Sequence, residues 1–323
     1  MAAVETLRDL QPFVPHEDLQ VAYVTGYSQF NDGGGGHFVY RSNSSVNPVS
    51  GSLDGMIVVP ANNVGRWHRV WHGGPLNILQ FGGTSVMADC TTALNQALLY
   101  ASYPNPLPGA GKTIEFPAGH YVFKSKPNDM RCGVVLAGHG SQGSTLQIGT
   151  TFTADYASDG EDEAFLKFLG NSGQNTGGGI RNVSIHAGAG FKSNLVMLSC
   201  LGGPVSWWTA EHVLLNAAGY ARRCFLAKDS TGSGNRGVRD INLYNVYACG
   251  ATKVNETLSF WDAANVFLIG GFVYKAGGTV EEGVTFDGSL GVGCAMARIN
   301  GMATGGKIKP NKITGLLVDG VPW

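Results

Sequence analysis

Residues 109–123 read GAGKTIEFPAGHYVF. Gly111-Lys112-Thr113 looks like the tail of a phosphate-gripping loop, which needs a glycine five residues before the Gly-Lys pair so that the backbone can curl its N–H groups onto one phosphate. That position is Pro106, with no N–H and a fixed φ. No helix pattern follows either. Thr113–Phe123 alternates, is rich in β-branched and aromatic residues, and is broken by Pro117 and Gly119. It predicts strand, turn, strand rather than a nucleotide site.

The bulk numbers suit such a chain. Its 323 residues include 48 glycines, and 14% are charged against a usual quarter. With 43% hydrophobic residues it is not a disordered composition. Many turns and short, largely buried strands are expected. A net charge of −1 gives no broad footprint for nucleic acid. The opening MAAVETLRDLQPF lacks a basic region followed by an apolar core, so no secretory signal is expected. No uncharged apolar run reaches the ~18–20 residues that span a bilayer, so no membrane insertion is expected. Six cysteines (Cys90, Cys132, Cys200, Cys224, Cys249, Cys294) lack metal-site or disulfide-framework spacing and read as buried thiols. No metal and no cofactor is expected.

The texture changes near residue 74. Residues 1–74 carry a short helix over Val4–Leu10 and then strands punctuated by turns: VAYVTGY (21–27), HFVYR (37–41), MIVVP (56–60) and RWHRVW (66–71). This is a small β module. Residues 75–323 form a second domain. Within it DCTTALNQALLYA (89–101) has helical spacing at Ala93, Leu94, Ala97, Leu98 and Ala101, with Asp89 or Thr91 to cap it. Beyond residue 160 one strand type recurs as FLKFL (165–169), LVML (195–198), CFLAKD (224–229), LSFWD (258–262) and VTFDG (284–288), with centres 30, 30, 34 and 26 residues apart. A second type interleaves with it: Asn182-Val-Ser-Ile185, His212-Val-Leu-Leu215, Asp240-Ile-Asn-Leu243 and Asn265-Val-Phe-Leu268. Two strand types at one loose period predict an all-β solenoid whose turns stack to make a continuous core; a β-sandwich has no reason to interleave them. Cys200, Cys224 and Cys249 step by about one turn and are expected to stack inside. An open solenoid end needs a cap, and helix 89–101 is placed to supply it.

Several motifs then fall in order. Val24-Thr-Gly-Tyr27, Asp32-Gly-Gly-Gly-Gly-His-Phe38, Asp54-Gly-Met-Ile-Val-Val-Pro60 and Gly65-Arg-Trp67 precede Phe81-Gly82-Gly83, Ala88-Asp-Cys-Thr-Thr-Ala-Leu-Asn-Gln-Ala97, Phe116-Pro-Ala-Gly-His-Tyr121 and Leu136-Ala-Gly138. The chain thereby resembles phage tailspikes and tail fibres of the pectate-lyase-like superfamily of right-handed, single-stranded parallel β-helices. It departs from their pattern in lacking a Gly-Asp-Gly segment and in having Cys90 where an aspartate is usual. The motifs cover residues 19–150; repeat texture covers the rest. The resemblance implies a homotrimeric virion appendage, assembled in the host cytoplasm and carried on the phage tail. Residues 1–74 would bind the tail or another virion protein, and the β-helix would meet host surface polysaccharide.

Sugar recognition needs aromatic faces with nearby carboxylates or amides. Trp207, Trp208, Trp261 and Tyr244 are the candidate glycan-binding residues. Trp207 and Trp208 adjoin on a strand, so at least one should leave the core. Hydrolysis needs two carboxylates, about 5 Å apart for retention or about 6.5–9.5 Å for inversion. Strands about 4.8 Å apart supply such spacings. Asp229 and Asp262 end the same strand type in successive turns and are the first candidates, with Asp240, Glu211 and Asp287 as alternates. A lyase would use a base such as Arg239, Lys253 or His212. Whether the chain cleaves glycan stays open, hydrolysis being preferred to elimination. The rival readings are a non-enzymatic structural fibre or adaptor and a free bacterial polysaccharide-degrading enzyme.

Overall fold

A computed structural model describes residues 2–49, 51–102, 113–131, 133–150, 162–170, 177–229, 237–252, 256–274, 282–287, 297–300, 303–304, 307–310, 316–318 and 321–322. The chain forms two compact units, Met1–Pro117 and Ala118–Trp323. The helix Thr91–Ala101 and the strand Thr113–Phe116 group with the first unit, beyond the change of texture at residue 74.

The first unit is built on a five-stranded sheet in the order Ala2–Thr6, Val21–Gly26, Gly36–Arg41, Arg66–Arg69, Ile57–Val58. Only the first pair is parallel. Leu7, Leu10, Val24, Phe38 and Trp67 fill its core. The glycine run 33–36 is there for close approach. A Cβ on Gly34 would sit 2.3 Å from the Leu79 carbonyl oxygen, and one on Gly35 2.4 Å from that of Val24. Asp32 ties the same loop, accepting from the N–H groups of Tyr27, Ser28, Gln29 and Gly34 at 2.7–3.0 Å. Burial pushes its pKa up, but these four donors outweigh burial and hold it below the usual carboxylate value. Asp54, fully buried, accepts from Met56 and Ile57 N–H (both 2.8 Å) and from the hydroxyl of Tyr100 on the helix (2.7 Å).

The second unit is a parallel β-helix with three strands per rung, which define three faces. Face A holds Met130–Arg131, Ala164–Leu169, Asn194–Ser199, Arg223–Lys228, Leu258–Trp261, Glu282–Asp287 and Lys307–Pro310. Face B holds Val135–Gly138, Gly179–Arg181, Val205–Glu211 and the first parts of Val238–Cys249 and Ala263–Tyr274. Face C holds Gly119–Phe123, Ser144–Ile148, Ser184–His186, Leu214–Asn216 and the second parts of those two long strands. Described strands within each face run parallel; the terminal pair Leu316–Val318 and Val321–Pro322 is antiparallel. The first recurrent strand type of the sequence is face A.

The second recurrent type proves to be two columns. Val183, Val213 and Val246 follow one another on face C, with Leu214 N–H bonding Val183 O and Tyr247 N–H bonding Val213 O. Ile241 and Val266 align instead with Trp208 on face B. The cause is local. Every one of the four tetrapeptides begins at a left-handed residue: Asn182, His212, Asp240 and Asn265 have φ between 51° and 55°. The same code opens both columns. Asn182, His212, Asn245 and Gly270 form the corner between faces B and C, while Trp207, Asp240 and Asn265 form a bend within face B. Asparagine and aspartate suit such positions because their short polar side chains bond locally.

The interior is apolar and partly aromatic. Phe168 and Phe225 lie 5.3 and 5.5 Å from Trp208, and Phe260 lies 5.6 Å from Phe225. Burying each such side chain contributes roughly 1.5–3 kcal/mol. The cysteines do not share a column. Cys200 lies at the corner between faces A and B, Cys224 in a face A strand and Cys249 at the end of face C; they stand 24 and 25 residues apart, short of a full turn, and so do not share a register.

Candidate functional site

Alternation decides which side chains leave the helix. On Val205–Glu211 the residues Val205, Trp208 and Ala210 are buried, whereas Trp207 is 61% exposed. Trp208 is fully buried between Phe168 and Phe225, so its place among the glycan-binding candidates is corrected: it is a core residue. The left-handed φ of 60° at Trp207 turns its indole out at the bend. Asp240 follows it on the next rung and Asn265 on the one after; Asn265 Nδ2 donates to Asp240 Oδ1 at 2.9 Å. Further along face B, Thr209 is in register with Asn242, and Glu211 with Tyr244. The Tyr244 hydroxyl reaches Asn242 Oδ1 only at 3.5 Å, a weak contact. The outer surface of face B therefore joins one exposed indole to a carboxylate, amides and hydroxyls on three rungs.

Asp229 and Asp262 come together as the spacing predicts. Asp229 N–H bonds Trp261 O at 3.1 Å, which sets the two aspartates one rung apart. Both are nearly excluded from solvent, at 1% and 2% exposure. Asp229 accepts from Gly237 N–H at 3.1 Å and from Cys200 Sγ at 2.8 Å. Asp262 makes a one-residue left-handed corner, φ 52°, between faces A and B. Among the candidate carboxylates Glu211 is exposed and Asp240 half-buried. Glu211 stands 3.7 Å from His212 Nδ1. Because Asp240 is level with Trp207, Glu211 lies four residues, roughly 13 Å, along the strand from it. Asp287 is in backbone register with Trp261; its side chain lies outside the described residues.

Trp261 serves the chain itself. It packs against Ala164, Met197 and Leu226. The Arg223 guanidinium and the Lys228 ammonium lie 5.0 and 5.2 Å from its ring centre. Its ring is thus engaged by cations within face A. Of the acidic run at 159–163, Asp162 pairs with Lys228 at 2.6 Å, two rungs on, and Glu163 with Lys126 at 2.7 Å, one rung back, so these two tie rungs together. Arg239 borders the bend, His212 stands at the corner beside Glu211, and Lys253 lies outside the described residues. The amide of Asn242 and the hydroxyl of Thr209 were not among the residues named from the sequence, which were aromatic or charged; register alone reveals them.

This architecture is the parallel β-helix carried by phage tailspikes. The fold is shared by solved structures, among them three tailspikes. The tailspike gp42 of Acinetobacter phage vb_AbaP_AS12 is 14% identical, with a TM-score of 0.58 over 99% of this chain and 57% of that one. The tailspike gp49 of Acinetobacter baumannii bacteriophage Fri1, a capsular polysaccharide depolymerase, is 14% identical, with a TM-score of 0.51 over 98% and 69%. The enzymatically active domain of tailspike protein 4 of bacteriophage CBA120 is 12% identical, with a TM-score of 0.56 over 98% and 49%. The chain thus spans about half to two-thirds of these proteins. Residues 3–72 match the phage tail protein small four-stranded beta-sheet domain. No curated protein matches the chain in sequence.

Proposed function

We propose that the chain is a phage tailspike protein, attached to the virion tail through residues 1–74, whose β-helix recognises host cell-surface polysaccharide. The observation that carries this reading is the order of the chain: a phage-tail β domain, then a β-helix whose face B sets exposed Trp207 beside Asp240 and Asn265. Aromatic faces stack on sugar rings, and fixed carboxylates and amides bind hydroxyls. Self-association into a homotrimer belongs to the proposal. Tyr247 and Phe272, in register on face C and 48% and 36% exposed, give an apolar strip suited to a contact between copies.

Recognition is favoured over cleavage. A glycosidase places two accessible carboxylates within about 10 Å of each other. Asp229 and Asp262 have the spacing without the access; Asp240 and Glu211 have the access without the spacing. The test uses purified protein with host capsule or lipopolysaccharide. Light scattering reads its mass, a pull-down reads binding, and assays for reducing ends and unsaturated sugars read products. A trimer that binds, and that loses about tenfold or more in affinity with Trp207→Ala or Asp240→Asn, is expected. Products that vanish with Asp229→Asn or Asp262→Asn would establish a depolymerase instead. No binding at all would favour the structural adaptor.

A further inference from the structure

Face C differs from face B in what it turns outward. Register gives its outer surface two columns, one running from His120 to Tyr247 and Phe272, the other from Val122 to Cys249. Lysine, arginine, aspartate and glutamate occupy none of the eleven positions, whereas Arg181, Glu211 and Arg239 stand on the outer side of face B. The cores of protein interfaces are depleted of such charges. A surface without them also meets a copy of itself with no charge left buried and unpaired. The exposed rings of Tyr247 and Phe272 lie at one end of this surface, and two histidines lie at the other. His186 sits between Gln147 and Asn216 in the second column. Its Nε2 is buried and has no hydrogen-bond partner. The neighbours are committed elsewhere: Gln147 Nε2 donates to the carbonyls of Ile148 and His186 at 2.9 and 3.3 Å, and Asn216 Oδ1 accepts from Ala218 N–H at 2.9 Å. Burial first, and then His120, hold the His186 pKa below the ordinary histidine value. A neutral ring leaves one nitrogen unpaired at modest cost, but an imidazolium brings a charge and a second donor that this site does not serve. Lys124, after the strand of His120, and Lys192, in the turn after His186, carry the same sign as a protonated His186. His212, at the corner with face B, stands beside Glu211 and Asn245. Tyr247 and Cys249 complete the titratable groups of the two columns.

We propose that face C is the surface through which copies of this chain pack, and that protonation of His186 drives the copies apart, so that the assembly is acid-labile. The inference rests on the homotrimer reading and deepens it by assigning the surface and its control. Docking takes His186 from half-buried to covered, so the docked state holds a proton less readily than the separate chain. The neutral ring therefore favours association at neutral pH. That contribution is lost once pH falls below the separate chain's pKa, itself under the ordinary 6.5. By linkage, association weakens there by up to about tenfold per pH unit for each histidine, or about a thousandfold when three copies each carry one.

The test measures association of the intact protein by light scattering over a dilution series, at several pH values from neutral to mildly acidic and at constant ionic strength. Circular dichroism is read on the same samples. A trimer at neutral pH that separates into single chains in acid, with its β spectrum unchanged, is expected. His186→Gln keeps a polar side chain without the titration and should restore association in acid by about tenfold or more. His120→Gln, at an exposed position, removes the neighbouring charge and should move the midpoint of the loss to lower pH. Association that does not weaken in acid, chains that separate only as the β spectrum is lost, or a midpoint that neither variant moves overturns the proposal. The outcomes also separate the two readings. Single chains at neutral pH overturn the homotrimer and the acid response with it. Trimers held equally at every pH overturn the acid response alone.

Discussion

At the scale of single residues, the pair Trp207-Trp208 shows how neighbours acquire opposite tasks. One indole is locked among phenylalanines and the other faces water. Trp208→Ala is expected to cost about 3–5 kcal/mol through the cavity it leaves, lowering the melting temperature in a calorimetric scan. Trp207→Ala is expected to change stability by less than about 1 kcal/mol while reducing glycan binding. Strand alternation made the split legible in advance; which tryptophan would turn outward was not, because it depends on the left-handed φ at Trp207, a conformation rarely taken by so large a side chain. The same limit hid the burial of Asp229 and Asp262. Repeat spacing locates a carboxylate in a column, but whether neighbouring corners cover it is a matter of tertiary packing.

At the scale of elements, the corner residues set the geometry. Asn182, His212, Asn245 and Gly270 take left-handed backbone on successive rungs. A Cβ on Gly270 would lie 2.3 Å from Asn245 Oδ1 at φ 63°. Gly270→Ala is therefore expected to destabilise the β-helix by at least about 1–2 kcal/mol, the cost of left-handed backbone in a residue bearing Cβ. Adding Asn245→Gly should restore part of the loss, and a double-mutant cycle in denaturant measures the coupling. The solenoid and its face A strands were readable from sequence because burial on every rung repeats the same apolar string. Faces B and C were merged because both start from one short code, a left-handed polar residue followed by an alternating apolar pair. Telling them apart requires the hydrogen-bond register, which no spacing of letters contains.

At the scale of the whole molecule, the five-stranded sheet of the first unit and the β-helix should answer acid differently. The Asp32 carboxylate is stabilised in the folded first unit by four N–H donors. Its folded pKa lies below the unfolded value near 3.9, so its contribution is complete above that value and fades as pH falls through the folded pKa. Asp32→Asn should destabilise the first unit by about 1–2 kcal/mol at neutral pH and flatten the loss of its stability between pH 5 and pH 3. Thermal scans across that range check it. The cooperative melting of the β-helix should not respond to the same substitution, since solenoid stability sums contributions from its own stacked turns.

Between the described strands of faces A and B the sequence runs through 170–178, then 200–204, then 229–237 on successive rungs, and through the single residue Asp262 on the next. Strand pairing continues undisturbed across all four. Evolution can therefore exchange or lengthen these corners one at a time, like pages rewritten in a binding that stays sewn, and under the proposed tailspike reading a virus meeting a new bacterial coat could revise its grip without refolding its scaffold.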